Sequence, residues 1–209
     1  MLKVITMIAF PAGLGLVALA PGILSMLYST SSTEVAAPLL RVLGVAACFA
    51  GMTTPMTNLL QAIGKPSAPV KNIAVGALIK IIVNYILVGI PEINIMGAPI
   101  GTLCCYMYIA IADLFCIVKY SRVVPSMFIT IIKPLAAAGV CAVAAYFSNK
   151  GLSILLSGSR MATIGALGVA GVAYIIAIAV FRCITREDIL GLPKGEKLAK
   201  ICVKLHIIN

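Results

Sequence analysis

Long apolar runs follow one another along almost the whole chain and are separated only by short polar turns. Several of these runs reach the roughly 20 residues that a helix needs to cross a bilayer. Of the 209 residues, 62% are hydrophobic and 11% are charged, with a mean hydropathy of +1.13. A soluble domain carries about twice that share of charge. The sequence therefore predicts a chain embedded in a lipid bilayer.

The apolar runs predict an all-α membrane protein, a polytopic helical bundle with about six transmembrane helices. Helices are favoured over barrel strands because the runs are continuous and do not alternate with a period of two. The predicted spans are Ile5–Tyr28, Ala36–Leu60, Ile73–Ile90, Ile95–Val118, Ile131–Leu152 and Met161–Cys183.

The charged residues between the spans predict the topology. Cytoplasmic turns of membrane proteins carry an excess of lysine and arginine, and the basic residues here alternate by side. One side holds Lys3, Lys65, Lys71, Lys119, Arg122, Lys133 and the basic residues from Arg182 to Lys204; the other holds only Arg41, Lys150 and Arg160, with Glu34 and Glu92. Both termini are therefore predicted to be cytoplasmic. Topology and anionic lipid explain the net charge of +10 better than nucleic-acid binding does.

The chain divides into a transmembrane domain, residues 1–184, and a tail, residues 185–209. In the tail, four apolar residues recur at helical spacing and lysines fill the positions between them. This pattern is typical of a short basic amphipathic helix on the cytoplasmic membrane surface. The apolar positions are Leu198, Ile201, Cys202 and Leu205.

No catalytic, metal-binding or cofactor-binding constellation is present in the sequence. The seven cysteines form no C-x-x-C pair, and they are interpreted as small buried hydrophobes. The single histidine, His206, is the fourth residue from the end. No phosphate-binding loop, zinc-protease motif or serine-hydrolase motif occurs. The chain is therefore not predicted to be an enzyme, and transport or structural roles are left.

Prolines and small residues predict how the helices bend and pack. Pro11, Pro21 and Pro55 lie inside predicted spans, where a freed carbonyl is tolerated if a neighbouring group binds it. They indicate either hinges or ordinary proline usage in membrane helices. Small residues are expected to line close-packed faces of the second and sixth helices. These residues are Gly44, Ala47 and Gly51, and Gly165, Gly168 and Gly171.

Lys80 lies near the middle of the third span, where a charge is costly. Asn72, Gly76, Lys80 and Asn84 recur every four residues, so they form one stripe on a helix. The stripe is expected to face protein or water. Lys80 and Asn84 are therefore candidates for a cavity wall that touches an anionic substrate. The alternative is a structural lysine paired with a carboxylate of a neighbouring helix.

Two further charged residues are candidates for function. Asp113 is the only acid inside a predicted span, and it is a candidate for cation coupling. A pairing with Lys119 or Arg122 is the favoured alternative. Arg41, near the outer end of the second span, is a candidate for binding an anionic head group, or it reaches interfacial phosphates.

Five segments resemble bacterial polysaccharide exporters, and most of all the stage V sporulation protein B family. These exporters belong to the superfamily of multidrug, oligosaccharidyl-lipid and polysaccharide exporters. The segments are P-A-G-L-G-L-V-A-L-A-P-G-I-L at Pro11–Leu24, L-Q-A-I-G-K at Leu60–Lys65, G-A-L-I-K-I-I-V-N-Y-I-L-V at Gly76–Val88, I-N-I-M-G-A-P-I-G-T at Ile93–Thr102 and R-E-D-I-L-G-L-P-K-G-E-K at Arg186–Lys197.

The resemblance implies part of the C-terminal lobe of a flippase in the bacterial plasma (inner) membrane. The implied substrate is a lipid-linked sugar pyrophosphate that serves peptidoglycan or spore-cortex synthesis. The implied partner is an N-terminal lobe, which this sequence lacks. Two alternatives stay open: a multidrug or cation-coupled exporter of small molecules, and a membrane scaffold fragment that does not transport.

Overall fold

The computed structural model describes residues 2–28, 30–121, 132–155 and 159–180, and these residues form six α-helices. The helices are α1 (Leu2–Leu27), α2 (Thr30–Ala62), α3 (Ser67–Val88), α4 (Gly97–Ser121), α5 (Lys133–Leu155) and α6 (Ser159–Val180). A short 3-10 turn, Asn94–Met96, precedes α4. No strand occurs in the described residues. The predicted all-α fold is confirmed.

Four helices of the described part are long and apolar enough to cross a membrane. Their spans are Lys3–Leu27, Ser32–Ala62, Ser67–Val88 and Asn94–Ser121. In α6 the apolar stretch is shorter, Gly165–Ile178. The chain is thus an α-helical membrane bundle, and its fifth and sixth spans stay predictions. The predicted amphipathic tail lies outside the described residues.

The helices contact one another in the spatial order α3, α4, α2, α1, α5 and α6, and α6 also touches α1. Side-chain contacts give their directions. Asn72 and Thr57 both meet Asp113, so the start of α3 lies beside the last part of α2 and of α4. The start of α1 lies beside the start of α5, since Met7 packs against Ala137. These termini form one end of the bundle, here named the basic end. It carries Lys3, Lys65, Lys71, Lys119 and Lys133.

Glycines allow α1 and α2 to cross closely. A Cβ atom on Gly13 or on Gly44 would lie within 2.7 Å of the carbonyl oxygen of the other residue. Gly51 of α2 faces Ala9 of α1 with no room for a side chain. Small residues at such crossings let helix backbones approach in a membrane. For Gly44 and Gly51 of α2, the prediction of a close-packed face is confirmed.

The corresponding prediction for α6 is wrong at two positions. A Cβ atom on Gly168 or on Gly171 would meet nothing within 4 Å. Instead, α6 packs through alanines that are spaced to share a different face of the helix. These are Ala166, Ala170 and Ala177, all buried. Gly168 and Gly171 therefore lie on an open face of α6, whereas the buried alanines lie on its packed face.

The proline in the first half of α1 frees a carbonyl that another helix binds. Pro11 has no N–H to donate to the carbonyl of Met7, four residues earlier. The hydroxyl of Tyr174 in α6 donates a hydrogen bond to this Met7 oxygen. The expectation that a neighbour re-satisfies the backbone is confirmed at Pro11. This contact joins α6 to α1 near the basic end.

Candidate functional site

The polar stripe of α3 faces α4, as predicted. A Cβ atom on Gly76 would lie 2.7 Å from Cγ1 of Ile109, so the two helices are in close contact there. Asn72 binds Asp113 of α4, and the amide oxygen of Asn84 lies against Gly101. The opposite face of α3 is widely exposed, with Tyr85 at 85% of its accessible area. The stripe thus lies on the face of α3 that packs against α4.

Lys80 lies deep in the membrane-spanning part of α3. With a rise of 1.5 Å per residue, its Cα is about 20 Å from the start of the helix and about 12 Å from the end. The side chain is only partly exposed. A charge at this depth requires polar surroundings or a water-filled space.

A cavity between α2, α3 and α4 supplies those surroundings. Its volume is about 420 Å³, and Lys80 forms part of its wall. Hydroxyl and amide groups face the lysine from α2, and the phenol of Tyr106 comes from α4. The wall consists of Thr53, Thr54, Thr57 and Asn58 of α2, Ile73, Ala77 and Lys80 of α3, and Cys105, Tyr106 and Ile109 of α4.

No carboxylate forms an ion pair with Lys80 within the described residues. Their three acids are accounted for elsewhere: Glu34 and Glu92 stand near the end opposite the basic end, and Asp113 binds two neutral groups. The structural alternative required a carboxylate of a neighbouring helix. The geometry therefore favours the cavity wall over the buried ion pair.

Asp113 is fully buried, and two neutral donors hold its carboxylate. Nδ2 of Asn72 donates to Oδ1 at 2.8 Å, and the hydroxyl of Thr57 donates to Oδ2 at 3.3 Å. Three helices therefore meet at one carboxylate. Because Thr57 also lines the Lys80 cavity, it connects the cavity wall to Asp113.

The favoured pairing of Asp113 with Lys119 is wrong. Lys119 is in the last turn of α4, and its ammonium group lies over the ring of Tyr120, 6.0 Å from the centroid. Asp113 stands six residues earlier and points toward α2 and α3, because Asn72 and Thr57 reach it there. The other predicted partner, Arg122, lies outside the described residues.

Three of the four predicted site residues, Asn84, Arg41 and Asp113, do not line the cavity. Asn84 lies one turn beyond Lys80; its Oδ1 is buried against Gly101 and has no hydrogen-bond partner in the described part of the chain. Arg41 is exposed on α2. Since α2 begins at Thr30 and not at Ala36, Arg41 lies about 16 Å along the helix and not near its outer end. The structure therefore brings only Lys80 to the cavity, with Asp113 next to it through Thr57.

The hydroxyl-rich wall of α2 was missing from the predicted site. Its signal was present as the run T-T-P-M-T-N at residues 53–58. Positions 53, 54, 57 and 58 share one side of a helix, and polar residues on one side of an apolar helix favour a face turned away from lipid. Tyr106 of α4 was also missing from the predicted site.

The cavity presents one cation and several hydrogen-bond donors, a combination that suits an oxygen-rich anion. No three His, Cys, Asp or Glu side chains of the described residues cluster as metal ligands. No family model, curated protein or solved structure matches this chain.

Proposed function

We propose that this chain is part of an exporter that moves a lipid-linked oligosaccharide or polysaccharide precursor across the bacterial plasma membrane. The precursor serves peptidoglycan or spore-cortex synthesis. One observation carries the proposal: Lys80 lies deep in a membrane helix, lines a polar cavity and has no carboxylate partner within the described residues. The resemblance to polysaccharide exporters supports the same substrate class.

The chemistry of such a substrate fits the cavity wall. A lipid-linked sugar carries a pyrophosphate, and this anion must leave water when it crosses the bilayer. The Lys80 ammonium group compensates for the lost hydration by charge-assisted hydrogen bonds, and Asn58 and Tyr106 of the wall supply further donors. A volume of about 420 Å³ accommodates the pyrophosphate group, while the lipid chain stays in the bilayer.

A complete transport cycle needs a second lobe. In alternating access, one repeat or bundle rocks against another around a site near the midplane. The proposed partner is the N-terminal lobe that the resemblance implies. Lys80 then faces the space between the two lobes from the C-terminal side.

Binding of a polyprenyl pyrophosphate sugar to the purified chain in lipid nanodiscs tests the proposal. We expect Lys80→Met to weaken binding at least about tenfold, the loss of one charge-assisted contact. Lys71→Met is the matched control, because Lys71 is an exposed lysine of the same helix and does not line the cavity. Equal affinity of wild type and Lys80→Met would contradict the proposal.

A complementation experiment then tests transport itself. The Lys80→Met change, placed in a two-lobed protein that contains this sequence, is expected to abolish complementation while the amount of folded protein stays normal. The Lys71→Met change should complement. Normal complementation by a well-expressed Lys80→Met protein would end the assignment of Lys80 to the substrate.

The buried carboxylate favours a second candidate, a cation-coupled exporter of small molecules. Asp113 is fully buried inside a span, and only neutral groups bind it in the described residues. Intramembrane acids of this kind often mark ion or proton pathways. In this candidate, Asp113→Asn abolishes cation-driven uptake into vesicles and Lys80→Met does not. The opposite pattern supports the flippase.

A further inference from the structure

Two lysines from separate parts of the chain meet at one aromatic ring at the basic end. The ammonium group of Lys65 lies over the ring of Tyr120, 5.4 Å from its centroid. The ammonium group of Lys119 lies 6.0 Å from the same centroid. Each distance is within the range of a cation–π contact. Two ammonium groups are thus placed around one tyrosine ring, where α2 and α4 end.

The backbone around Lys65 fixes its position. Gly64 has a φ of +78°, a conformation that favours glycine at the end of a helix. The N–H of Lys65 donates to the carbonyl of Leu60, and the N–H of Gly64 donates to that of Gln61. This pair of bonds is the Schellman motif that terminates a helix. Pro66 follows at once and α3 begins at Ser67, so Lys65 is held between two rigid elements.

No acid of the described residues compensates for this pair of charges. Glu34 and Glu92 stand near the opposite end, and the carboxylate of Asp113 is buried between Asn72 and Thr57. Both ammonium groups attract an anion that approaches the ring. Tyr120 is 41% exposed, so the site is open to a ligand from outside the chain.

We propose that Lys65, Lys119 and Tyr120 form a binding site for the phosphate of an anionic membrane lipid. Both helices end here, at the depth where lipid head groups meet water, and interfacial tyrosines are common at this level. The two ammonium groups bind the phosphate oxygens, and the Tyr120 hydroxyl donates a further hydrogen bond. The site joins the ends of α2 and α4 and does not depend on the proposed transport function.

Native mass spectrometry of the chain, released from nanodiscs that contain phosphatidylglycerol and phosphatidylcholine, tests the site. The wild type is expected to retain one phosphatidylglycerol molecule in preference to phosphatidylcholine. The double variant Lys65→Gln/Lys119→Gln should retain it at least about tenfold less, as expected for the loss of charge-assisted contacts.

The control variant is Lys71→Gln/Lys133→Gln, which removes the same charge from two other lysines of the basic end. It should change retention less than about twofold, because general attraction to anionic lipid is spread over many residues. Equal losses in the two double variants would mean diffuse attraction and would overturn the proposed site. Unchanged retention in Lys65→Gln/Lys119→Gln would overturn it as well.

A fluorescent reporter identifies the source of the phosphate. The sequence contains no tryptophan, so Tyr120→Trp introduces a single one while keeping an aromatic ring for the two lysines. We expect saturable quenching by a brominated phosphatidylglycerol, and we expect inorganic phosphate in excess not to reverse it. Reversal of the quenching by inorganic phosphate would show that phosphate alone occupies the site and would overturn the lipid as the ligand.

Discussion

The two sides of the bundle are held together by different kinds of contact. On the side of α1, α5 and α6, buried alanines bring the helices together, including Ala137, Ala145 and Ala170. Two hydrogen bonds between these helices end on the backbone: Tyr174 donates to the Met7 oxygen, and Cys141 Sγ to the Ala170 oxygen at 3.2 Å. On the side of α2, α3 and α4, side chains bind side chains around Asp113.

The side of α1, α5 and α6 is here named the packed side, and the side of α2, α3 and α4 the polar side. Backbone atoms are present whatever the sequence, so hydrogen bonds to them require one suitable residue each. A network of side chains requires matched residues on every helix, and each unpaired member is costly in a membrane. The cavity and its lysine occur on the polar side, and an apolar cavity of about 330 Å³ lies where α1, α2, α4 and α5 meet.

The strongest test of the difference is the removal of the main donor to Asp113. Asn72→Leu keeps the number and branching of the side-chain heavy atoms but leaves the buried carboxylate with only the Thr57 hydroxyl. We expect a loss of about 3 kcal/mol in the free energy of unfolding, measured by denaturant titration in mixed micelles.

The double variant Asn72→Leu/Asp113→Leu serves as its control. Replacing both partners by apolar groups is often nearly neutral, so most of the stability should return. If Asn72→Leu alone is as stable as the wild type, the Asp113 network does not hold the polar side together.

The next test compares glycines on the two sides. Gly101→Ala places a Cβ atom on the amide oxygen of Asn84, and we expect about 2 kcal/mol of destabilisation from overpacking. Gly168→Ala on α6 meets nothing within 4 Å and should be neutral or slightly stabilising. Thermal unfolding measures both. If Gly101→Ala is as stable as Gly168→Ala, α3 and α4 move apart to admit the new methyl group at no cost in the free energy of unfolding.

A smaller effect is expected on the packed side at Tyr174. Tyr174→Phe removes the hydrogen bond to the Met7 oxygen and should cost about 1 kcal/mol. In a Pro11→Ala background the alanine supplies its own N–H to that oxygen, so the same change should cost almost nothing. A double-mutant cycle isolates this coupling. Additive effects would mean that the hydroxyl does not replace the missing N–H.

The smallest effect on stability is expected at Lys80, the charged residue deep in α3. Lys80→Met should change the free energy of unfolding by less than about 0.5 kcal/mol, because no ion pair holds Lys80 in the described residues. Circular dichroism during heating of Lys80→Met and Lys71→Met measures it. A loss of about 3 kcal/mol or more would reveal a buried ion pair and return Lys80 to a structural role.

Periodicity predicted the arrangement of α3 well. A four-residue spacing fixes which residues share a helix face, so the stripe from Asn72 to Asn84 was correctly turned toward protein. Hydropathy predicted the ends of the helices less accurately. The polar residues before Ala36 are also helical, so α2 begins at Thr30 and Arg41 lies deeper than expected.

Contacts between helices could not be predicted from the sequence. The partners of Asp113 depend on the relative heights of three helices, and these heights follow from close contacts such as Gly76 against Ile109. Charge suggested Lys119 as the partner, whereas packing brought Asn72 and Thr57 closer. Likewise, the glycines of α6 were identifiable from sequence, but not which face of α6 would meet α1 and α5.

The attachment of α3 to α4 has a consequence for biosynthesis. The contacts of α3 are almost entirely with α4, which leaves the ribosome later. The translocon therefore has to pass a helix with a central lysine into lipid before its packing partner exists. The cost of that lysine is roughly 2.5–3.5 kcal/mol. Isoleucines on the exposed face, such as Ile81, Ile82 and Ile86, offset it at about 0.3–0.6 kcal/mol each. The lipid-facing side of α3 thus determines whether Lys80 reaches the membrane interior at all.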